Sequence, residues 1–239
     1  MILVLGGTAD AHRIACGLQA ADIDFVVSLA GVTKAPVERS YPVRTGGFGG
    51  EAGLVEYLNK EEIAAVIDAT HPFAERMSVS AIAATAACGL PLIRFERPEW
   101  AAPEGADWHY VVDVDAAARA LPCRARAFLT VGTGGLSAFR GRLDVWFLVR
   151  GIELVANLER NWEFLQQRPP FGLAEELALM RSYSISHLVT KNSGGAQTRA
   201  KIDAATELGI PVIVVGRPVL PVVESASTVS DILRWAEKI

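Results

Sequence analysis

Small, hydroxylated and cationic residues gather just after short apolar runs in this 239-residue chain. Gly6-Gly7-Thr8 follows Ile2-Leu3-Val4-Leu5. Glycines at such a point let backbone amides approach a phosphate, and a threonine caps a helix whose N-terminal amides face that anion. A tight strand-to-helix turn without a ligand explains the same residues. Gly46-Gly47-Phe48-Gly49-Gly50 sets four glycines around one aromatic, more than a turn needs, which favours close backbone contact with a flat or phosphorylated ligand. The run ending at Val27-Ser28 lacks the acidic residue that binds the ribose diol of NAD. Ser28 with Thr33 and Lys34 suits a 2′-phosphate instead, which points to NADPH over NADH. A strand-end hydroxyl and a solvated lysine are the plain alternative.

Asp68-Ala69-Thr70-His71-Pro72-Phe73-Ala74 follows another apolar run. Asp68 lies within the run, where a carboxylate is costly unless hydrogen-bonded, and so reads as structural. His71 stands at the tip, its backbone restricted by Pro72, either as a hydrogen-bonding group or as an acid-base catalyst. Further on, Thr130-Val131-Gly132-Thr133-Gly134-Gly135 and Lys191-Asn192-Ser193-Gly194-Gly195 again combine amide-donating glycines with hydroxyls. Lys201, Arg140, Arg94, Arg97 and Arg217 lie near these turns or at the ends of apolar runs. So many cations in an acidic chain suit a polyanionic, carboxylated ligand; any one of them could equally be a surface ion pair.

The elements that must position these residues are short Val/Ile/Leu runs alternating with Ala-rich helical stretches, the pattern of parallel sheets covered on both faces. Strands are expected at 2–5, 24–28, 42–45, 64–68, 91–95, 108–112, 126–130, 145–149, 187–190 and 211–215. Helices are expected near 9–20, 51–59, 74–88, 115–121, 134–140, 173–182, 196–208 and 228–238. Residues 70–98 overlay 190–218 without a gap, matching Thr70/Thr190, Gly89/Gly209, Pro91/Pro211, Ile93/Ile213, Arg97/Arg217 and Pro98/Pro218. In this overlay His71 falls on Lys191. The repeat implies a duplicated α/β unit: two doubly wound Rossmann-like domains, 1–98 and 99–239, with a ligand cleft between them. The Pro- and Gly-rich stretch 96–107 is the expected linker. The similar final strands could exchange between sheets. A second irregular stretch, 157–172, reads as a surface loop or a lid.

A net charge of −4 argues against a nucleic-acid partner, since phosphate backbones select basic surfaces. Cys16, Cys88 and Cys123 are scattered and lack metal-ligand spacing, and so read as buried reduced thiols, with no metal site. With no basic leader and no apolar run long enough to span a bilayer, the expected location is the cytoplasm.

Gly6-Gly7-Thr8-x-Asp10-Ala11, Gly46-Gly47-Phe48-Gly49-Gly50, Asp68-Ala69-Thr70-His71-Pro72-Phe73-Ala74, Arg94-x-x-Arg97-Pro98-x-Trp100, Val131-Gly132-Thr133-Gly134-Gly135 and Lys191-Asn192-Ser193-Gly194-Gly195 together resemble the ordered motif series of the precorrin-6A reductases of cobalamin biosynthesis. The resemblance covers nearly the whole chain. Asp10 stands where glutamate is more usual, and Gly216 where a second arginine is common. The resemblance implies NADPH-dependent reduction of a double bond in a polycarboxylated tetrapyrrole, with hydride added to one ring carbon and a proton to its neighbour. It assigns the cofactor to Gly7, Thr8, Ser28, Lys34, Gly47, Phe48 and Thr70. The substrate falls to Thr133, Gly134, Lys191, Ser193, Gly194 and Lys201, with Arg94, Arg97, Arg140 and Arg217. His71 and Asp10 are the candidate proton donors, with bound water as the alternative. Neighbouring corrin-pathway enzymes are possible partners. A cobalt-containing substrate, a two-domain sugar-nucleotide transferase and an NADP(H) sensor are the competing readings.

Overall fold

The computed structural model describes residues 1–31 and 39–239. The first part of the chain runs β1 (Ile2–Leu5), α1 (Ala9–Ala20), β2 (Phe25–Leu29), β3 (Val43–Thr45), α2 (Glu51–Lys60), β4 (Ala65–Asp68), α3 (Glu75–Cys88) and β5 (Leu92–Phe95). It continues with β6 (Trp108–Val111), α4 (Val114–Ala120), β7 (Arg126–Thr130), a 3-10 helix (Thr133–Phe139), β8 (Trp146–Gly151), β9 (Trp162–Gln166) and α5 (Leu173–Ser182). The last elements are β10 (His187–Lys191), α6 (Ala200–Glu207), β11 (Val212–Val215), β12 (Glu224–Ala226) and α7 (Val229–Ala236).

These strands form two six-stranded sheets, ordered β12-β5-β4-β1-β2-β3 and β6-β11-β10-β7-β8-β9. Every described pairing is parallel. The first sheet has the doubly wound 3-2-1-4-5-6 order, and the second repeats it in β9-β8-β7-β10-β11 with β6, the first of its strands in sequence, in the sixth place, so the expected α/β Rossmann-like architecture is present twice. In the central strands β1, β4, β10 and β11 nearly every residue is buried, as a parallel sheet with helices on both faces requires.

The chain divides into two compact units, Met1–Pro98 with Pro218–Ile239, and Glu99–Arg217. Residues 218–239 therefore belong with the first unit, which corrects the expected 99–239 boundary. The reason is a reciprocal exchange of edge strands. β6 follows β5 in sequence but pairs with β11, while β12 follows β11 but pairs with β5. Apolar packing fastens the returning segment. Ile232 is fully buried among Ile14, Leu18 and Phe95, and a Cβ on Gly17 of α1 would lie 2.6 Å from Leu233 Cδ1.

Register also corrects the ungapped repeat. Leu92 pairs with Val66, 26 residues earlier, whereas Val212 pairs with Leu188, 24 residues earlier. The true overlay needs a two-residue gap. The positional counterpart of Asp68 is Thr190, and that of His71 is Ser193 rather than Lys191. Gly89 and Gly209 still coincide and both adopt a left-handed conformation, φ 66° and 63°, at helix ends, as helix termination at glycine requires.

Three smaller expectations change. The stretch 157–172 contains β9, an edge strand paired with β8, where aromatic and polar residues alternate in Trp162-Glu163-Phe164. Residues 133–139 form a 3-10 helix in place of an α-helix. Cys16 and Cys123 are exposed and Cys88 is half-buried, all free. Cys16 lies on the outer face of α1 and Cys123 in a turn. Among the described residues no helix is long and apolar enough to cross a membrane.

Truncating Ile232 to alanine should destabilise the full chain by roughly 2–5 kcal/mol, as for other buried aliphatic side chains. The control, Val222→Ala, alters a side chain 98% exposed in the same segment and should stay within about 0.5 kcal/mol of wild type. Urea unfolding checks both; a cost under about 1 kcal/mol for Ile232→Ala would contradict the packing of α7.

Candidate active site

Parallel strands release their carboxyl ends on one edge of each sheet, and the β1/β4 and β7/β10 pairs flank the point where strand order reverses. In the first unit that point is built by Thr8 and Asp68. Thr8 caps α1 by accepting from Ala11 N at 3.0 Å and donates its own hydroxyl to Ala69 O at 2.9 Å. It thus ties the turn after β1 to the turn after β4. Gly7 has φ 108°, a conformation that leaves the backbone uncovered in front of α1. Asp68, 2% exposed, accepts from Thr70 N at 3.1 Å, Thr70 Oγ1 at 2.7 Å and Ser78 Oγ at 2.6 Å. Its structural reading holds, and it also occupies the Thr70 hydroxyl.

His71 is exposed at the tip of this turn. Its Nδ1 accepts from the Phe73 amide at 3.2 Å, which in the neutral ring puts the proton on Nε2. Asp10, 4% exposed, accepts from Arg97 Nη1 at 2.6 Å through one oxygen and from Arg13 through the other. Both oxygens are committed as acceptors, which gives Asp10 the geometry of a positioning residue for Arg97. Burial lowers the Arg97 guanidinium from its usual range, while Asp10 opposes that shift.

The ends of β2 and β3 carry a second cluster. Ser28 is 6% exposed, and Arg44 Nη1 donates to its Oγ at 2.7 Å. Arg44 Nη2 donates to Gly47 O at 3.3 Å, and the guanidinium carbon lies 4.0 Å from the Phe48 ring centroid. The loop is seated because Phe48 packs beside Tyr57 and its carbonyl runs against Gly53, where a Cβ would come within 1.8 Å. Ser28, Gly47 and Phe48 are therefore brought together by Arg44, a residue the motif reading passes over. Its signal in the sequence is a lone arginine two residues before the glycine loop. Thr33 and Lys34 lie outside the described residues.

In the second unit Thr133 and Gly134 are exposed at the start of the 3-10 helix, which has no side-chain cap. Asn192, fully buried, accepts from Trp100 N at 2.8 Å and donates to Glu99 Oε2 at 2.8 Å, so it fastens the incoming chain to the β10 turn. Arg217 donates from Nε to Asn192 O at 3.0 Å and from Nη2 to Ser193 O at 3.3 Å. These bonds bring Arg217, Ser193, Gly194 and Lys191 to one turn. Burial lowers the Lys191 ammonium from its usual range.

Besides Arg97, paired with Asp10, and Arg217, which also pairs with Glu99 at 3.6 Å, three more of the expected substrate cations have partners within their own unit. Arg94 donates to Glu96 Oε1 at 2.6 Å and to Pro221 O at 3.4 Å, which braces the returning segment. Arg140 pairs with Glu159 at 3.7 Å. Lys201, 6% exposed, lies 5.5 Å from the Trp100 ring centroid, near a buried pair in which Arg150 donates to Glu176 at 2.5 and 3.0 Å. Burial pulls the Lys201 ammonium down to about 7, with Glu176 opposing and Arg150 assisting.

Two parallel sheets with glycine turns at their switch points define the class: a Rossmann-like α/β protein. The model of the precorrin-6x reductase CbiJ/CobK family matches residues 1–237. Precorrin-6A reductases of Rhodococcus erythropolis and Rhodobacter capsulatus are each 42% identical, over 98% of this chain and 96% and 94% of theirs. A cobalt-precorrin-6A reductase of Priestia megaterium is 31% identical over 91% of each chain. The solved structure of a CobK precorrin-6A reductase superposes with a TM-score of 0.95 at 42% identity, covering 99% of this chain and 96% of that one. The chain belongs to the precorrin-6x reductase CbiJ/CobK family, and is thus an oxidoreductase of cobalamin biosynthesis.

The Lys201 charge can be tested through stability. Its proton is held to about pH 7 in the folded chain but to about pH 10.4 when unfolded. Its cost to folding is full below the lower value and fades as pH rises through that window. Lys201→Met should therefore raise Tm by at least about 2 °C at pH 6.5 and by clearly less at pH 9.5. Thermal unfolding at both pH values checks this; equal gains, or a loss at pH 6.5, would contradict it.

Proposed function

We propose that the chain reduces a macrocycle double bond of metal-free precorrin-6A with NADPH, giving precorrin-6B. The greater identity to precorrin-6A reductases than to the cobalt-precorrin-6A reductase favours the metal-free substrate. One observation carries the division of labour between the units. In the first, a capped twelve-residue α-helix follows the glycine turn, whereas the equivalent place in the second holds a seven-residue uncapped 3-10 helix. Aligned peptide dipoles and orphan amides favour a diphosphate at the former. The short 3-10 turn, with poorer hydrogen-bond geometry, suits it less.

The first unit's residues fit a dinucleotide. Gly7 leaves the backbone open before the α1 amides, Thr8 holds that turn, and Ser28 offers a hydroxyl where an NAD site would carry an acid. Gly47 and Phe48 supply a loop against which the adenosine end can lie, and Lys34 is a further cation for it. Thr70 shapes the β4 turn through Asp68. When bound, NADPH supplies the hydride.

The second unit presents Thr133, Gly134, Lys191, Ser193, Gly194 and Arg217 for the acetate and propionate arms, since cations and amide donors hold carboxylates directionally. Arg97, held by Asp10, and Arg140 serve the same arms from their own turns. Arg94 and Lys201 act as structural charges. His71 delivers the proton to the carbon beside the hydride acceptor, the Phe73 amide fixing its ring, and Asp10 acts through Arg97.

Mixing the protein with NADPH and enzymatically prepared precorrin-6A should lower absorbance at 340 nm, with NADH and cobalt-precorrin-6A giving slower or no turnover. NADPH binding without turnover on either tetrapyrrole would contradict the proposal. His71→Asn should slow the single-turnover step on the order of 10²-fold with NADPH affinity nearly unchanged. A loss below about threefold would remove His71 from proton transfer.

A further inference from the structure

We infer that Arg44 is the residue that makes the chain select a 2′-phosphorylated nucleotide, by gripping that phosphate together with Ser28 while its other face lies on Phe48. The inference rests on the cofactor reading above and deepens it.

Three observations converge on this arginine. Ser28 and Arg44 are register partners on adjacent strands, so both side chains emerge at the carboxyl edge of the sheet, at the strand end where an NAD site would carry its ribose-binding acid. The guanidinium is pre-oriented on both of its flanks, by the bond to Ser28 Oγ at 2.7 Å and by the bond to Gly47 O at 3.3 Å. Its plane is supported by two rings, Phe48 at 4.0 Å and Tyr57 at 5.0 Å. A guanidinium has five N–H donors, and these two bonds leave three for an incoming anion.

Charge completes the argument. Among the described residues no carboxylate forms an ion pair with Arg44, whereas Arg94, Arg97, Arg140, Arg142 and Arg150 each have one. A half-buried arginine on an aromatic shelf, tethered only to neutral acceptors, keeps its charge for a ligand. A phosphomonoester matches it, since planar N–H donors engage two phosphate oxygens at once. A free ribose diol offers no charge for it to meet.

The experiment measures equilibrium binding of NADPH, NADH, 2′,5′-ADP and 5′-AMP by calorimetry and nucleotide fluorescence, with no tetrapyrrole present. Wild type should bind NADPH and 2′,5′-ADP at least about 10²-fold more tightly than NADH and 5′-AMP. In Arg44→Ala that preference should fall to within a few-fold of unity, with NADPH and 2′,5′-ADP losing far more affinity than NADH and 5′-AMP. Arg44→Lys, which keeps the charge but loses the fork, should retain only part of the preference. An unaltered preference in a folded Arg44→Ala protein overturns the inference but leaves the cofactor reading standing. Wild-type protein that binds neither NADPH nor 2′,5′-ADP overturns both.

Discussion

Parallel strand pairing is the constraint on which the rest of this structure depends. Each sheet is built from strands that all run one way, so every connection must return across a face. All carboxyl ends then emerge on a single edge. The turns after β1, β2, β3 and β4 are thereby neighbours although they lie tens of residues apart. Thr8 reaching Ala69 O across 61 residues, and Arg44 reaching Ser28 across 16, are consequences of that geometry. Asp68 shows what it costs to build such an edge. A carboxylate buried at the end of a central strand is unfavourable until three donors surround it, and those donors then fix the shape of the turn that carries His71.

The two sheets share a switch point in strand order, but the turns that follow it differ. Behind the first glycine turn stands a capped α-helix with aligned amides; behind the second stands a short 3-10 segment. Where the first unit buries Asp68, the second has Thr190, which is too short and uncharged to organise a loop in that way. There, Asn192 and Arg217 do the fastening, and the loop is left rich in cations and amides. The first sheet is completed by β12, drawn from after the second unit, whereas the second sheet is one continuous stretch of chain from β6 to β11.

Strong local signals made most of the fold legible. The ten expected strands are all present, because central parallel strands read as continuous apolar runs. β12 was missed because Glu224-Ser225-Ala226 is short, polar and at an edge. β9 was missed because Arg and Pro residues flank it and hide its alternation. The site was legible by motif but not by partner. Glycines announce turns through local conformation, so Gly7 and Gly47 were found. What a cation touches depends on folded contacts that the motifs do not carry, as with Lys201 beside Trp100, and Arg44, in the three-residue β3, stands outside every motif. The ungapped repeat misled at His71 for a related reason: sequence matches cannot register a two-residue slip that strand pairing exposes.

The central claim is direct hydride transfer from a nicotinamide to a tetrapyrrole carbon on this scaffold. The most direct measurement is the mass of the reduced tetrapyrrole formed with NADPH carrying deuterium at C4 of the nicotinamide, prepared separately in each of its two stereochemical forms. The account predicts that one form, and only one, adds a single deuterium to the product, while reaction in deuterated water with unlabelled NADPH labels the neighbouring carbon. A reduced product that carries deuterium from neither form of NADPH would contradict it.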